Sequence, residues 1–400
     1  MRVLQINLFF KQGSTGKIVE EIHHGCLKNN IDSFVAYAIG KHSDNNTFKF
    51  SSRLSSKIYT YLAVLTGRQY TYSYYETYKL IRYIKIIKPD LVNIHAININ
   101  TVNKYKLLEY LKSNNIKTVI TFHSEIFYTG GCSHSYECLK WQNGCGDCPN
   151  LWEATHSLFL DNTKYFWNLL KSIYNNFEKD LSIICVSNWL RNRAINSPFF
   201  INNKVDVIYN GIDTNNLYRP REIDLDIVDD INNRKIILHV TPSFKSKIKG
   251  GKYVKQVIEL LNADDFYFII IGYDSDENMP NNVKTIKSIN DPILLSKYYS
   301  LADITLLTSE VETFSMVTAE SLACGTPVVG FKCGAPEEIA IKEYSIFVEY
   351  GNVPLLISAI KESIYWHNKR VNFDKISQKA KLIYDKEIMI RKYIENYKFL

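Results

Sequence analysis

The strongest constraint on this chain is an alternation of short β-branched runs and helix-period segments that passes through it twice. Residues 3–10, 33–38, 91–95, 118–122, 183–186 and 205–208 read as buried strands, and helical segments at 14–29, 77–87 and 102–113 fall between several of them. Strand, helix and strand at that spacing predict parallel pairing through right-handed crossovers. The pattern then restarts, with strands at 235–240, 266–271, 304–307 and 326–329 and helices at 251–261, 292–301, 313–324 and 353–367. Two doubly wound α/β domains are the economical reading. The polar stretch 215–233, with Pro220 and a run of acids, reads as the linker. We therefore expect an N-terminal domain over 1–214, a C-terminal domain over 215–373, and a helical tail over 374–400 that packs back across the domains.

Composition narrows the function classes. Hydrophobic residues make up 46% and charged residues 22% of the 400, which excludes disorder, collagen and coiled coil. Lys and Arg number 48 against 41 Asp and Glu, so the formal charge is +7. That excess is too mild for a nucleic-acid partner, and it suits polyanionic small ligands or an anionic membrane face. The N-terminal residues lead straight into a strand, and no run approaches the roughly 20 apolar residues of a membrane span. A cytoplasmic location is expected, and the eight cysteines are then thiols or metal ligands rather than disulfides.

The stretch 308–329, Thr-Ser-Glu-Val-Glu-Thr-Phe-Ser-Met-Val-Thr-Ala-Glu-Ser-Leu-Ala-Cys-Gly-Thr-Pro-Val-Val, carries the clearest chemistry. A strand ends, a turn presents Glu312, and a helix begins around Phe314. A helix N-terminus after a parallel strand offers unpaired N–H groups and a favourable dipole to an anion. Glu320 lies two helical turns further on and could grip a pair of hydroxyls. Two solvated glutamates flanking an ordinary helix are the plain alternative.

Glu312 and Glu320, separated by seven residues and followed by Ala-Cys-Gly-Thr-Pro-Val-Val, resemble the retaining GT-B glycosyltransferases of family four (glycosyl transferases group 1). The resemblance extends over nearly the whole chain. It implies an α/β GT-B fold, two Rossmann-like doubly wound domains facing a central cleft. It also implies that Glu312 lies by the donor sugar, that Glu320 binds the ribose, and that Phe314, Ser315 and Met316 make backbone contacts near the diphosphate. Thr313 and Ser315 stand where the family commonly has glycines.

Other segments resemble the same family. Lys247-Ile248-Lys249-Gly250-Gly251 precedes a helix and looks like the family's Lys-Gly step, which makes Lys249 the candidate for the donor diphosphate. No arginine stands in 241–245, so Lys245 substitutes only as a point charge. A solvated lysine cluster is the alternative there. Gln12-Gly13-Ser14-Thr15-Gly16-Lys17 is not a P-loop, because Lys11 and Ile18 occupy positions that need Gly and Ser or Thr. It resembles the family's first loop, in which Gly13 and Gly16 line the cleft near the donor phosphates. Thr121-Phe122-His123-Ser124 resembles a Thr-x-His-Asp segment whose His faces the reaction centre from the acceptor side, with Ser124 in place of Asp. A structural histidine at a strand end is the alternative. Ser187-Asn188-Trp189 and Asn210-Gly211-Ile212-Asp213 match as positional markers.

Two features stand apart. Four cysteines, Cys132, Cys138, Cys145 and Cys148, fall within the loop 130–149, spaced C-x5-C-x6-C-x2-C. That spacing can wrap one structural Zn²⁺, while buried thiols or disulfides would give the same count. A similar loop occurs in a branch of the family that resembles colanic-acid and exopolysaccharide transferases. The segment 53–88 holds eight tyrosines interleaved with Lys and Arg. It suits an anionic membrane surface or, equally, an amphipathic helical hairpin packed on the first domain.

The expected protein is a glycosyltransferase (EC 2.4 class) moving a sugar from a nucleotide-sugar donor, UDP- or GDP-linked, to a glycan or lipid-linked acceptor. The resemblance implies retention, no cofactor or metal in catalysis, and a role in bacterial surface polysaccharide (exopolysaccharide, capsule or O-antigen) at the inner face of the membrane. A GT-B-fold nucleotide-sugar epimerase and a non-catalytic zinc-loop interaction protein on a transferase scaffold are the alternatives.

Overall fold

The computed structural model describes residues 1–41, 44–97, 99–222, 234–366 and 369–399. The chain divides into two compact units, Met1–Tyr209 with Met389–Leu400, and Asn210–Ile388. Most of the expected linker, residues 223–233, lies outside the described residues, as do His367 of the expected helix 353–367 and Leu400 of the tail.

The first unit is built on a seven-stranded sheet: β1 (Arg2–Phe9), β2 (Asp32–Ile39), β3 (Thr47–Lys49), β4 (Leu91–Ile94), β5 (Lys117–Phe122), β6 (Leu181–Cys185) and β7 (Val205–Val207). Their spatial order is β3-β2-β1-β4-β5-β6-β7, and every pairing is parallel. The second unit carries six strands: β8 (Lys235–Val240), β9 (Phe266–Ile271), β10 (Val283–Ile286), β11 (Ile304–Leu307), β12 (Val328–Phe331) and β13 (Ser345–Val348). They are ordered β10-β9-β8-β11-β12-β13, again all parallel. Each sheet reverses its strand order once, between β1 and β4 and between β8 and β11. Ligands of open parallel sheets bind beyond the carboxyl ends of the strands at such a reversal.

The central strands are buried on both faces, so they read as largely apolar runs, interrupted by a few buried polar residues such as Gln5, Asn93 and His239. Val3, Leu4, Ile6, Val92, Ile94, Val119 and Ile120 are fully buried in the first unit, as are Ile237, Leu238, Ile269, Ile270, Ile304 and Leu306 in the second. Each such side chain contributes about 1.5–3 kcal/mol relative to exposure. In the second unit the helix Gly251–Leu260 adds Val254, Val257 and Ile258 to this core.

Several boundaries differ from the sequence reading. The helix expected from 313 runs Met316–Ala323. Ser315 takes a left-handed φ of 77° and serves as its cap, so the turn lasts three residues longer. The strand expected from 326 starts at Val328, because Thr326 is tied to the preceding helix through Ser321. The tail is two helices, Lys369–Tyr384 and Lys386–Phe399, broken at Asp385. The tyrosine-rich segment forms the helices Arg53–Thr66 and Tyr74–Ile87. No helix among the described residues is long and apolar enough to cross a membrane.

Candidate active site

In the second unit, β8 and β11 end side by side at the strand-order reversal, and each feeds a loop. The loops are stitched together by their backbones. Glu310 N–H donates to the Ile248 carbonyl at 2.8 Å, and Thr308 Oγ1 donates to the Lys249 carbonyl at 3.0 Å. Gly250 makes this approach possible: its φ is 69°, and a Cβ there would sit 2.0 Å from the Thr308 carbonyl oxygen. Lys249 is delivered by the short turn Lys247–Lys249, and the helix Gly251–Leu260 starts directly after Gly250.

The Lys249 ammonium donates to Glu312 Oε1 at 2.6 Å, and Ser309 Oγ donates to the same oxygen at 2.8 Å. Glu312 is pinned by its backbone, its N–H on Cys333 O at 2.8 Å and its carbonyl accepting from Ala335 N–H at 3.0 Å. The two side chains remain 24% and 18% exposed, so the pair is reachable by a ligand. A cation and a carboxylate therefore sit together beside a helix N-terminus, an arrangement that can hold an anion on one side and hydroxyls on the other.

The other candidates of this unit are placed differently. Ser315 Oγ accepts from Thr318 N–H at 3.2 Å and so caps the helix. Phe314 is buried, edge-on to the Tyr384 ring, and Met316 is half-buried. Glu320 is buried, and Tyr299 Oη donates to its Oε2 at 3.0 Å. Burial, reinforced by the Glu320 charge, pushes the phenols of Tyr299 and Tyr218 far up. Lys245 is turned to Asp276, its ammonium 3.3 Å from Oδ2, and not to Glu312.

Sequence reasoning missed Ser309, Tyr299, Tyr218 and His239. His239 is buried at the end of β8 and donates from Nδ1 to the Leu306 carbonyl at 3.0 Å, joining β8 to β11. Burial, with a smaller contribution from the Lys249 charge, lowers its pKa to about 4 against the Leu306 hydrogen bond, which raises it. A histidine inside the apolar run Ile-Ile-Leu-His-Val was the signal available.

The first-unit candidates lie at the carboxyl ends of their strands. Gly13 opens the helix Gly13–Lys28 at φ 67°, and a Cβ on Gly16 would press at 3.3 Å on the Phe9 backbone, so this glycine lets the helix pack against β1. His123 follows β5, half-buried, with Nε2 at 3.3 Å from His95 Nδ1. His95, which follows β4, was not foreseen.

The cysteine loop is anchored by fully buried Glu125. Its carboxylate accepts from Tyr128 Oη and Arg193 Nε, each at 2.7 Å, and from Ser135. Cys132, Cys138, Cys145 and Cys148 are free thiols lining one cavity together with Trp141 and Lys140. Burial pushes the Cys145 thiol up to about 12 and Cys132 higher still. Among the described residues no group of three or more His, Cys, Asp or Glu is arranged to hold a metal ion, so the side chains as they stand do not fit the expected zinc.

Two doubly wound, all-parallel units in one chain constitute the GT-B architecture, and that is the class the fold defines. Residues 57–216 match the family described as Glycosyltransferase Family 4, and residues 234–364 match the family described as Glycosyl transferases group 1. The protein is a GT-B glycosyltransferase. It is 21% identical to WcaC of Escherichia coli (strain K12), a glycosyl transferase named for colanic acid biosynthesis, over the full length of both chains. It is 25% identical to an uncharacterised glycosyltransferase of Methanocaldococcus jannaschii, over 72% of this chain and 77% of that one. Among solved structures, sucrose-phosphate synthase from Thermosynechococcus elongatus superposes with a TM-score of 0.71 at 14% identity, covering 100% of this chain and 98% of that one. HepE of Anabaena in complex with UDP-glucose superposes with a TM-score of 0.66 at 15% identity over the whole of both chains.

Proposed function

We propose that this transferase takes a nucleotide sugar, UDP- or GDP-linked, in its second unit and moves the sugar with retention to a glycan or lipid-linked acceptor in bacterial surface polysaccharide synthesis. The observation that carries the reading is the 2.6 Å contact of Lys249 with Glu312 at the strand-order reversal. Lys249 and the helix N-terminus beside it take the charge that builds on the departing diphosphate. Glu312 serves the donor sugar, Glu320 the ribose, and the backbone of Phe314, Ser315 and Met316 the diphosphate, with Lys245, Gly13 and Gly16 as further donor contacts. His123 serves the acceptor side. In the transfer the bond from the anomeric carbon to the diphosphate oxygen breaks, and the acceptor oxygen bonds on the same face. The acceptor proton passes to the departing phosphate.

The polysaccharide role draws support from the WcaC relative, and the UDP donor from the HepE complex. Thermal shift against UDP, GDP, ADP and their sugar conjugates tests the donor, because a ligand bound to the folded state raises Tm. A rise with one nucleotide family is expected. No rise with any of them, together with full transfer by Glu312→Ala, would overturn the reading.

Peripheral attachment to the inner membrane face is supported by Leu54, Ile58, Tyr61 and Leu65, exposed at helical spacing on Arg53–Thr66 among basic residues. Flotation with liposomes is expected to require anionic lipid, and absence of binding to either kind ends that reading. The structural zinc is proposed on the cysteine spacing and the shared cavity of the four thiols, whose side chains would have to turn from their present arrangement to hold it. Metal analysis of the purified protein decides it, since a trace below stoichiometry removes the proposal.

A further inference from the structure

Beneath His123 runs a buried polar chain across the first sheet. Gln5 on β1, Asn93 on β4, Thr121 on β5 and His95 after β4 are all fully buried, so each polar atom needs a partner. Gln5 Nε2 donates to Tyr397 Oη at 3.1 Å, and Asn93 Nδ2 donates to the same hydroxyl at 2.6 Å. Thr121 Oγ1 donates to Asn93 Oδ1 at 3.0 Å. With its amide nitrogen on Tyr397, Gln5 turns Oε1 to His95 Nε2 at 2.8 Å.

An amide oxygen only accepts, so His95 carries its proton on Nε2. Burial holds His95 neutral, which leaves the lone pair on its Nδ1. His95 Nδ1 lies 3.3 Å from His123 Nε2, and that contact is a hydrogen bond only when His123 donates. The two rings stack with centroids 5.5 Å apart. Burial also keeps His123 neutral, with a pKa of about 4. Its own lone pair therefore resides on Nδ1. The ring partner that the fold gives His123 is His95.

We propose that His95 and Gln5 are positioning residues that lock His123 in the Nε2–H tautomer, so that its Nδ1 accepts a hydrogen bond from a sugar hydroxyl. The functional half of this inference rests on the acceptor-side reading of His123; the tautomer half does not. In the opposite tautomer His123 would present an N–H to the hydroxyl, and the polarity of the contact would reverse.

Nitrogen-15 NMR of histidine-labelled wild-type protein at neutral pH reads the tautomer without substrate. Both rings are expected neutral and protonated on Nε2, and a His123 proton on Nδ1 overturns the proposal. His95→Gln keeps an acceptor for His123 and is expected to retain the tautomer and kcat within about threefold. His95→Leu removes the acceptor and is expected to mix the tautomers and lower kcat about tenfold or more, with the donor KM little changed. An unaltered tautomer in His95→Leu overturns the proposal. Should that variant not fold, the wild-type spectrum still decides. A shifted tautomer with unchanged transfer upholds the lock and removes His123 from the reaction.

Discussion

The Lys249 ammonium and the Glu312 carboxylate, 63 positions apart in sequence, meet at 2.6 Å, and Ser309 shares the same carboxylate oxygen. The pair keeps about a fifth of its surface, so its worth to stability is small, on the order of 1 kcal/mol or less. In the proposed reaction its cation takes the charge that builds on the departing diphosphate. Lys249→Met is therefore expected to lower kcat by about 10²–10³ while barely moving the urea midpoint. Lys245→Met, whose ammonium is turned to Asp276, should cost far less in the same assay. Equal losses in the two variants would remove the special place given to Lys249.

Gly250 and Gly13 share nearly the same backbone, φ 69° and 67°, but not the same surroundings. A Cβ at Gly250 would stand 2.0 Å from the Thr308 carbonyl oxygen, whereas nothing lies within 4 Å of one at Gly13. Gly13→Ala should thus lose only the cost of the left-handed backbone, about 1 kcal/mol. Gly250→Ala should lose more than that and also displace Lys249, seen as weakened nucleotide binding by calorimetry. Matching urea curves for the two variants would show that the loop relaxes around the added methyl.

Glu320 holds Tyr299 at 3.0 Å inside the second unit. Glu320→Ala leaves that phenol buried without its acceptor, an expected loss of about 1–3 kcal/mol in urea unfolding. Glu320→Gln still offers an oxygen and should lose less. If the carboxylate also binds ribose, both variants weaken nucleotide affinity, and the Gln variant then separates the two effects. Unchanged affinity in Glu320→Gln would leave this residue a purely structural role.

How much of this was legible in sequence follows from burial. Central strands such as β9, buried along their whole length, announce themselves. Three of the four edge strands, Thr47–Lys49, Val283–Ile286 and Ser345–Val348, are three or four residues long and only half-buried and went unread, whereas the equally short β7 was read from its Val-Asp-Val-Ile run. The Glu312 to Glu320 spacing was visible as a local motif. The Lys249–Glu312 and His95–His123 contacts were not, because they are made by sheet topology across 63 and 28 positions. The helix start was set early because Ser315, a non-glycine residue, takes a left-handed turn that composition does not signal.

Buried histidines give stability a pH dependence whose sign is fixed. His23 and His123 in the first unit and His239 in the second are held neutral by burial, each with its pKa lowered from 6.5 to about 4. In the unfolded chain they take up protons below about pH 6.5. Between those values the unfolded state binds more protons, so stability falls as pH drops from about 6.5 towards about 4 and levels off above that window. Each such histidine contributes a slope of up to about 1.4 kcal/mol per pH unit there. Unperturbed carboxylates titrate near about 3.9 for Asp and about 4.3 for Glu, so the slope above about pH 5.5 reports the histidines. Urea midpoints measured from about pH 7.5 to 4.5 should trace this fall. His239→Gln keeps a donor for the Leu306 carbonyl and cannot titrate, so its curve should be flatter than that of the wild type. A variant curve parallel to the wild type would mean that His239 charges freely in the folded protein.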